Sequence, residues 1–344
     1  MKALVIKAHG GPEVLGFEER AKPVPQADEA LVRVAAAGLN HLDLWVRKGV
    51  PGHKFPLPLV PGCDGAGTVE AVGALVTDVK PGDRVALSPG FVPRFSTEAL
   101  NGQHNLAHDY GIFGETRDGT CAEYITVPAR NLLPMPAGMS FTDAAAIPLA
   151  ALTAHHMLCE RARVAPGHDV VIWAAGSGVS VYAIQIAKLA GARVIAIAGG
   201  AEKAAKALEL GAHVAIDRTT QDPAAVVREL TARRGADIVI DHVGEATFGT
   251  SLKMLARGGA VVTCGATSGP KLEADLRLIF FKSLSILGST MGGMGEMRQV
   301  WALACRGQIR PVVHSVLPFA QAAQAHALLE SRSVFGKVVL SIGE

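Results

Sequence analysis

The 344-residue sequence has no CxxC pair, and its five cysteines, Cys63, Cys121, Cys159, Cys264 and Cys305, are odd in number and far apart. That spacing excludes a zinc knuckle and argues against a disulfide framework, so reduced thiols in a cytoplasmic setting are expected. An excess of one charge is lacking as well: 33 Lys and Arg stand against 31 Asp and Glu, dispersed along the chain. Without a basic patch there is no electrostatic footprint for nucleic acid or for an anionic membrane, and a small-molecule partner is expected. No apolar run reaches membrane-spanning length without Gly, Pro or charge, and the opening stretch MKALVIKAHGGPEVL has no long apolar segment followed by a small-residue cleavage site. A soluble, cytoplasmic protein is therefore expected. What is present is 49% apolar residues with 38 glycines, the mix of a turn-rich globular chain long enough for two domains.

To about residue 135 the chain is a series of short β-rich runs, KALVIKA, EALVRVAAA, GAGTVEAVG, DRVALS and AEYITVP, punctuated by Pro and Gly turns such as PGDR at 81 to 84. This reads as an irregular β domain. Its strand-poor stretch from Pro89 to Asp118 is too long for an ordinary connection and is expected to form a lobe or functional loop. From about residue 140 the pattern changes. TDAAAIPLAALTAHHMLCERA is expected to be a helix starting near Thr142, and strand candidates follow at 169–174, 192–198, 213–216, 236–243, 259–265 and 284–289. They recur every ~20 to 25 residues, the length of one strand-helix unit, and six of them argue for a doubly wound parallel sheet. The closing segment from Pro311 is a helix and a final strand that could return to the first domain.

The stretch DVVIWAAGSGVSVYAIQIAKLAG sets a glycine-rich turn between a buried strand and an amphipathic helix. Gly176 permits the tight turn, Gly178 lets the backbone approach a pyrophosphate, and the helix from Val179 aims its unpaired N–H groups at the anion. Ser177 lies between the glycines, and Ser180 stands where a third glycine is usual and is small enough to keep helix and strand close. At the end of the second strand, IAGGAEK offers no Asp or Glu for a ribose hydroxyl. Gly199 and Gly200 leave space there, and Lys203 and Arg218 are candidates to face a 2'-phosphate, so NADP (NADPH) is expected in preference to NAD. Lys203 also reads as an ordinary solvated helix residue.

The stretches AAGLNHLD, PLVPGCDGAGTVEAVG, KPGDRVAL, GTCAEYITVP, AAIPLAALTAHHML, AAGSGVSVYAIQIAK, GADIVIDHVG, LSILGS and VFGKVVL resemble, in order, the medium-chain dehydrogenase/reductase superfamily, the zinc-type alcohol dehydrogenase-like and quinone oxidoreductase-like proteins. The resemblance implies an α/β protein. A GroES-like, partly open β-barrel catalytic domain would span 1–139 and 290–344, and a Rossmann domain with a doubly wound, parallel, six-stranded sheet would span 140–289. It further implies that Thr153, Val243, Gly244, Gly265, Ala266, Gly288, Ser289, Thr290 and Lys337 line the cofactor cleft, and that the protein is a homodimer or homotetramer.

Where zinc enzymes of the family carry their ligands, this sequence has Asn40 in NHLD, Cys63 in GCD and Leu149. An amide and an alkyl chain cannot complete a three-ligand site, so no catalytic zinc is expected. The lobe matches the family's structural-zinc segment, with Pro93, Ser96, Ala99 and Ala107 at the cysteine positions; His104 and His108 would share a face if the segment is helical. Leu42 replaces the hydroxyl of the family's proton relay, and His41 takes the place of a phosphate-contacting basic residue. Near the substrate we expect Asn40, His41, Asp43 and Trp45, with Cys63 and Asp64 facing them across the cleft. Asn40 would polarise an oxygen, and His41 would contact phosphate or relay a proton. Trp45 would stack on a planar ring or fill core, and Asp43 is equally read as a structural partner of the turn at Cys63. His155 and His156 flank the entry to the second domain. Without a Lewis acid, activated acceptors such as quinones and α,β-unsaturated carbonyls are favoured. The alternatives are an alcohol or aldehyde dehydrogenase and a low-turnover NADP-binding sensor.

Overall fold

The computed structural model describes residues 1–93 and 96–343, so the lobe from Pro89 to Asp118 is seen apart from positions 94 and 95. The chain divides into two compact units, residues 1–150 with 292–344 and residues 151–291.

In the first unit β1 (Lys2–Ile6) and β2 (Leu15–Glu19) form an antiparallel pair. The long β3 (Glu29–Leu39) runs into α1 (His41–Lys48), which opens with Asn40 N–H donating to Asp43 Oδ2 at 2.7 Å. This satisfies one of the polar groups exposed at a helix start. Next come β4 (Asp64–Val72), β5 (Arg84–Leu87), β6 (Tyr124–Pro128) and β7 (Leu132–Pro134). The helix expected from Thr142 is instead two: α2 (Phe141–Ala145), capped by Ser140 Oγ accepting from Asp143 N–H, and α3 (Pro148–His155). Pro148 has no N–H to continue a helix through it, and the end of α3 loosens into a π-helical turn over His156–Arg161. Residues 140–150 cluster with the first unit because α2 lies directly on β3. A Cβ on Gly38 would fall 2.0 Å from the carbonyl oxygen of Ala145, so only glycine allows that approach.

The second unit is a regular alternation. Its strands are β8 (Asp169–Ile172), β9 (Arg193–Ala198), β10 (Val214–Asp217), β11 (Ala236–Ile240), β12 (Leu255–Thr263) and β13 (Ser285–Gly288). Between them run α4 (Gly178–Leu189), α5 (Ala201–Leu210), α6 (Pro223–Leu230), α7 (Phe248–Met254) and α8 (Leu276–Lys282). All neighbours are parallel, in the order β10-β9-β8-β11-β12-β13. The six strands expected from sequence are all present; β11 stops at Ile240, short of Val243, because Asp241 begins a tight turn. Sheet order reverses between β8 and β11, and in such sheets ligands bind outside the carboxyl ends at that reversal.

The chain then returns to the first unit with α9 (Met294–Cys305), β14 (Val313–Pro318), α10 (Ala322–Glu330) and β15 (Lys337–Ser341). The final strand pairs with β3 antiparallel and with β14 parallel, closing a seven-stranded sheet. Helix α10 packs on α1, and its polar face carries a buried ionic group. Arg47 of α1, 0% exposed, donates through Nη2 to Glu330 Oε1 at 2.6 Å. His326 beside it is also fully buried, and neither ring nitrogen has a partner among the described residues.

Burial first, and the Arg47 charge second, depress His326 to about 4. Its folded pKa lies below the ordinary value near 6.5, so the unfolded chain takes up the proton first as pH falls. The stability it contributes is complete above pH 6.5 and lost as pH drops towards 4, about 3 kcal/mol for this group. Denaturant titrations of wild type and His326→Leu from pH 7 to 4 should show the difference between them shifting by about that amount in favour of the variant. Parallel pH profiles would refute this.

Candidate functional site

Asn40, Asp43, Cys63 and Asp64 come together where β3 ends and β4 begins, and Lys337 at the start of β15 joins them. Asp64, fully buried, accepts from Leu149 N–H at 2.8 Å through Oδ1. Through Oδ2 it accepts from Asn40 Nδ2 at 2.9 Å and pairs with the Lys337 ammonium at 3.1 Å. The same ammonium donates to Asn40 Oδ1. Asn40 Nδ2 donates also to Gly38 O at 3.3 Å, so both of its amide hydrogens and its oxygen are engaged inside the unit. The role expected for Asn40, a free donor to a substrate oxygen, is therefore corrected, because a primary amide has only two hydrogens to give. Cys63 and Asp64 do not face Asn40 across open space either; a buried carboxylate must be satisfied, and it draws Asn40 and Lys337 onto itself. Lys337, 2% exposed, spends its charge here, whereas a cofactor contact was expected of it.

Asp43 takes the structural role that the sequence left open. Its Oδ1 accepts from Gly62 N–H at 2.9 Å and lies 3.7 Å from Cys63 Sγ, while Oδ2 holds the start of α1. Burial pushes its carboxyl up to about 6 against the opposing pull of these N–H groups and of Lys337. Burial, reinforced by the carboxylates of Asp43 and Asp64, pushes the Cys63 thiol well above its usual range. His41 and Trp45, one turn apart on α1, are half-buried with their rings edge to face at 6.4 Å.

In the second unit the loop 174–177 leaves β8 at the reversal of sheet order. Ala174 takes φ +49°, a left-handed turn that a non-glycine residue enters rarely. Ser177 caps α4 by accepting from Ser180 N–H at 3.0 Å, and Ser180 Oγ donates to Trp173 O at 2.7 Å. The helix start therefore stands in the geometry that receives an anion. His242, just beyond β11, was missed in the sequence: its Nε2 lies 3.0 Å from both serine hydroxyls, and burial lowers its pKa. Its position after the first strand across the reversal was the available signal. Neighbouring Asp241, fully buried, accepts from the N–H groups of Val243 and Gly244 and from Thr247 and Ser251. It thereby shapes the 243–244 turn, where Gly244 has φ +93° and Ala266 lies against it.

At the end of β9, Gly200 and, at the end of β13, Gly288 have nothing within 4 Å of an added Cβ, and Gly199 lies against the Arg218 guanidinium. Lys203 is half-buried one turn into α5, and burial lowers its pKa. Asp217, the last residue of β10, accepts from Gly200 N–H at 3.0 Å. Reading only the second strand missed this carboxylate because it comes from the third. Gly265 O accepts from Thr263 Oγ1 at 3.0 Å, Ser289 N–H donates to Thr263 O, and Ser289 Oγ is buried without a partner among the described residues. Thr153 is buried within α3, and Thr290 is exposed. In the lobe, His104 sits in a short 3-10 turn over His104–Leu106 and His108 lies beyond it, so the two do not share a helical face.

A Gly-rich loop between strand and helix in a parallel six-stranded sheet, attached to a mixed β unit that is completed by the last strand, defines a nucleotide-dependent oxidoreductase architecture. The family described as "Alcohol dehydrogenase GroES-like domain" matches residues 26–137, and "Zinc-binding dehydrogenase" matches residues 178–306. A quinone oxidoreductase of Pseudomonas aeruginosa is 32% identical, covering 98% of this chain and 99% of that protein. A crystal structure described as an NAD-dependent alcohol dehydrogenase is 48% identical with a TM-score of 0.97, covering 100% of both chains. The 2-octenoyl-CoA carboxylase reductase in complex with NADP and 2-octenoyl-CoA is 31% identical with a TM-score of 0.91, covering 99% of this chain and 87% of that one. The chain belongs to the medium-chain dehydrogenase/reductase superfamily and is an oxidoreductase of that family.

Removing the Lys337 charge leaves Asp64 buried and uncompensated, so Lys337→Met should lower unfolding free energy by about 3 to 5 kcal/mol. Pairing it with Asp64→Asn should recover much of the loss. Urea unfolding of the two single variants and the double decides this; strictly additive losses would show that the pair is not coupled.

Proposed function

We propose that this protein reduces an activated carbonyl compound, a quinone or an α,β-unsaturated ketone or aldehyde, with NADPH and without a catalytic zinc. One observation carries the reading: the Lys337 ammonium is bonded to Asn40, a position that the resemblance aligns with a zinc ligand, and to Asp64, next to another at Cys63. The donor set does not fit the metal. It offers an amide already committed, a thiol held protonated by burial, and Leu149, whose contribution is a backbone N–H to Asp64. A second cation beside the ammonium would also be repelled.

The nicotinamide cofactor, when bound, supplies hydride. The chain's own residues account for holding it: the first turn of α4 behind Ser177 receives the pyrophosphate, and the open glycines at 200 and 288 admit its approach. The exposed Arg218 beside Gly199 supplies a guanidinium for a 2'-phosphate. Acceptors that delocalise negative charge suit a site with no Lewis acid, because less stabilisation is required of the protein. The chemistry agrees with the relatives named as quinone oxidoreductase and 2-octenoyl-CoA carboxylase reductase.

A second reading, an NAD-dependent alcohol dehydrogenase, is favoured by Asp217 beside Gly200 and by the name of the relative at 48% identity. One experiment separates them: oxidation of NADPH and NADH by quinones, enones and aldehydes, with metal analysis of the same sample. Quinone or enone reduction insensitive to chelator is expected, with Arg218→Ala raising KM for NADPH about 10-fold or more and leaving NADH little changed. Stoichiometric zinc, with alcohol oxidation abolished by chelator, would give the second reading the protein.

We also infer a homo-oligomer. Strand β13 ends the sheet, and Leu276, Phe280 and Phe281 on α8 beside it are 71%, 60% and 65% exposed. An open edge with apolar neighbours is a pairing surface. Sedimentation equilibrium should return a multiple of the 35.7 kDa chain mass; a single-chain mass at micromolar concentration would refute it.

A further inference from the structure

The carboxyl end of β11 delivers two side chains to the glycine loop of the same unit. His242 Nε2 lies 3.0 Å from Ser177 Oγ and 3.0 Å from Ser180 Oγ. Asp241 acts at one remove: it accepts from Ser251 Oγ at 2.6 Å, which accepts from Nε1 of Trp173, the residue between β8 and the loop, at 2.8 Å. A hydroxyl has one hydrogen to give. That of Ser180 goes to Trp173 O at 2.7 Å, and that of Ser177 goes to Ser180 Oγ at 3.0 Å. Both oxygens can then only accept from the imidazole, so the ring carries its hydrogen on Nε2 and His242 is the donor in both contacts. Ser177 Oγ also accepts from Ser180 N–H at 3.0 Å. The two hydroxyls are thus directed inward, and what faces outward is backbone. Ser177, Gly178 and Val179 are half-buried, whereas Ser180 and His242 are buried. Helix α4 offers no acceptor to the N–H groups of Gly178 and Val179, which belong to its first turn, and these are the groups an anion can reach.

Enclosing an imidazole is unfavourable unless its polar atoms are met, and here the start of α4 supplies two acceptors to one N–H. Burial lowers the His242 pKa, so near neutral pH the ring is uncharged and acts by direction. We propose that His242 is a positioning residue for the cofactor: by donating to Ser177 and Ser180 it holds the first turn of α4 so that the N–H groups of Gly178 and Val179 converge on the pyrophosphate. Without that donor, Ser177 Oγ is free to rotate out to water, its hold on Ser180 N–H weakens and the turn loosens. A bound anion must then order the turn itself, and affinity falls accordingly. The effect belongs to the pyrophosphate, which NADPH and NADH share, and not to the 2'-phosphate, which Arg218 addresses.

The role of His242 rests on the nicotinamide cofactor of the proposed function, and binding measured without turnover separates the two. In His242→Leu the Kd for NADPH and the Kd for NADH, read by nucleotide fluorescence, should rise together by about 10-fold, with KM rising likewise and kcat little changed. In ligand-observed NMR titrations 2'-phospho-ADP-ribose, which carries the pyrophosphate, should weaken by the same factor, while adenosine 2'-phosphate, which lacks it, should hold. A merely structural role would weaken both fragments alike. His242→Gln, whose amide N–H reaches the same oxygens, should recover most of the loss. Ser180→Ala combined with His242→Leu should lose no more than the larger of the two single changes, because the histidine acts through the serines. Unchanged NADPH affinity in His242→Leu, equal weakening of the two fragments, no recovery in His242→Gln, or strictly additive losses overturns the assignment. Wild type that binds neither nucleotide overturns it together with the cofactor reading. Affinities as expected, in a protein that reduces no quinone or enone, uphold the role of His242 and remove only the activated-carbonyl acceptor.

Discussion

The ammonium of Lys337, shielded from water and shared between Asn40 and Asp64, is the constraint on which the first unit's geometry turns. A lone carboxylate at the depth of Asp64 would be strongly disfavoured, and the lysine that offsets it lies 273 residues further along the chain. The pair therefore forms only when β15 has returned to lie along β3. Once formed, it fixes the Asn40 side chain at the entrance to α1. Asn40 N–H and the Gly62 turn then hold Asp43 from either side. The strand order, the helix start and the turn that presents Cys63 are thus linked through one charge.

The second unit solves the same problem without a cation. Asp241 is as buried as Asp64, but backbone N–H groups and the hydroxyls of Thr247 and Ser251 surround it, and Trp173 Nε1 donates in turn to Ser251 at 2.8 Å. Donors of this kind stabilise a carboxylate by direction more than by charge. The consequence is rigidity at the carboxyl end of β11, where the adjacent His242 reaches across the reversal in sheet order to Ser177 and Ser180. The glycine loop is thus held from below by side chains as well as by the cap of its own helix.

Much of this architecture is legible in the sequence because it is local. Alternating strands and helices, glycines in the 174–178 loop and the serine that replaces the third glycine carry their meaning within a few dozen residues, and the structure has all six strands. The break at Pro148 was also legible in principle, but a continuous run of alanines and leucines around it reads as one helix. The site was legible in membership and not in wiring. Asn40, Asp43, Cys63 and Asp64 were expected together, yet which atoms they spend on one another depends on Lys337, separated from Asn40 by 297 residues. Asp217 was hidden for the same reason, as it reaches Gly200 from a neighbouring strand.

A consequence for chemistry follows from how completely the cluster is satisfied. Polar groups that already bond one another are poor partners for a substrate, because recruiting them means breaking a buried bond that nothing replaces. Reactivity must then reside in groups the fold leaves incomplete. Arg47 and His326 are incomplete, but both side chains are fully enclosed between α1 and α10, and Glu330 pairs with Arg47 alone of the two. Ser289 belongs to the nucleotide-binding unit. In the lobe, glycines at 90, 114 and 119 allow backbone and ring to close on one another directly. Close glycine packing at the Gly62 turn and the ammonium shared by Asn40 and Asp64 thus act on the same stretch of chain, and both keep its shape.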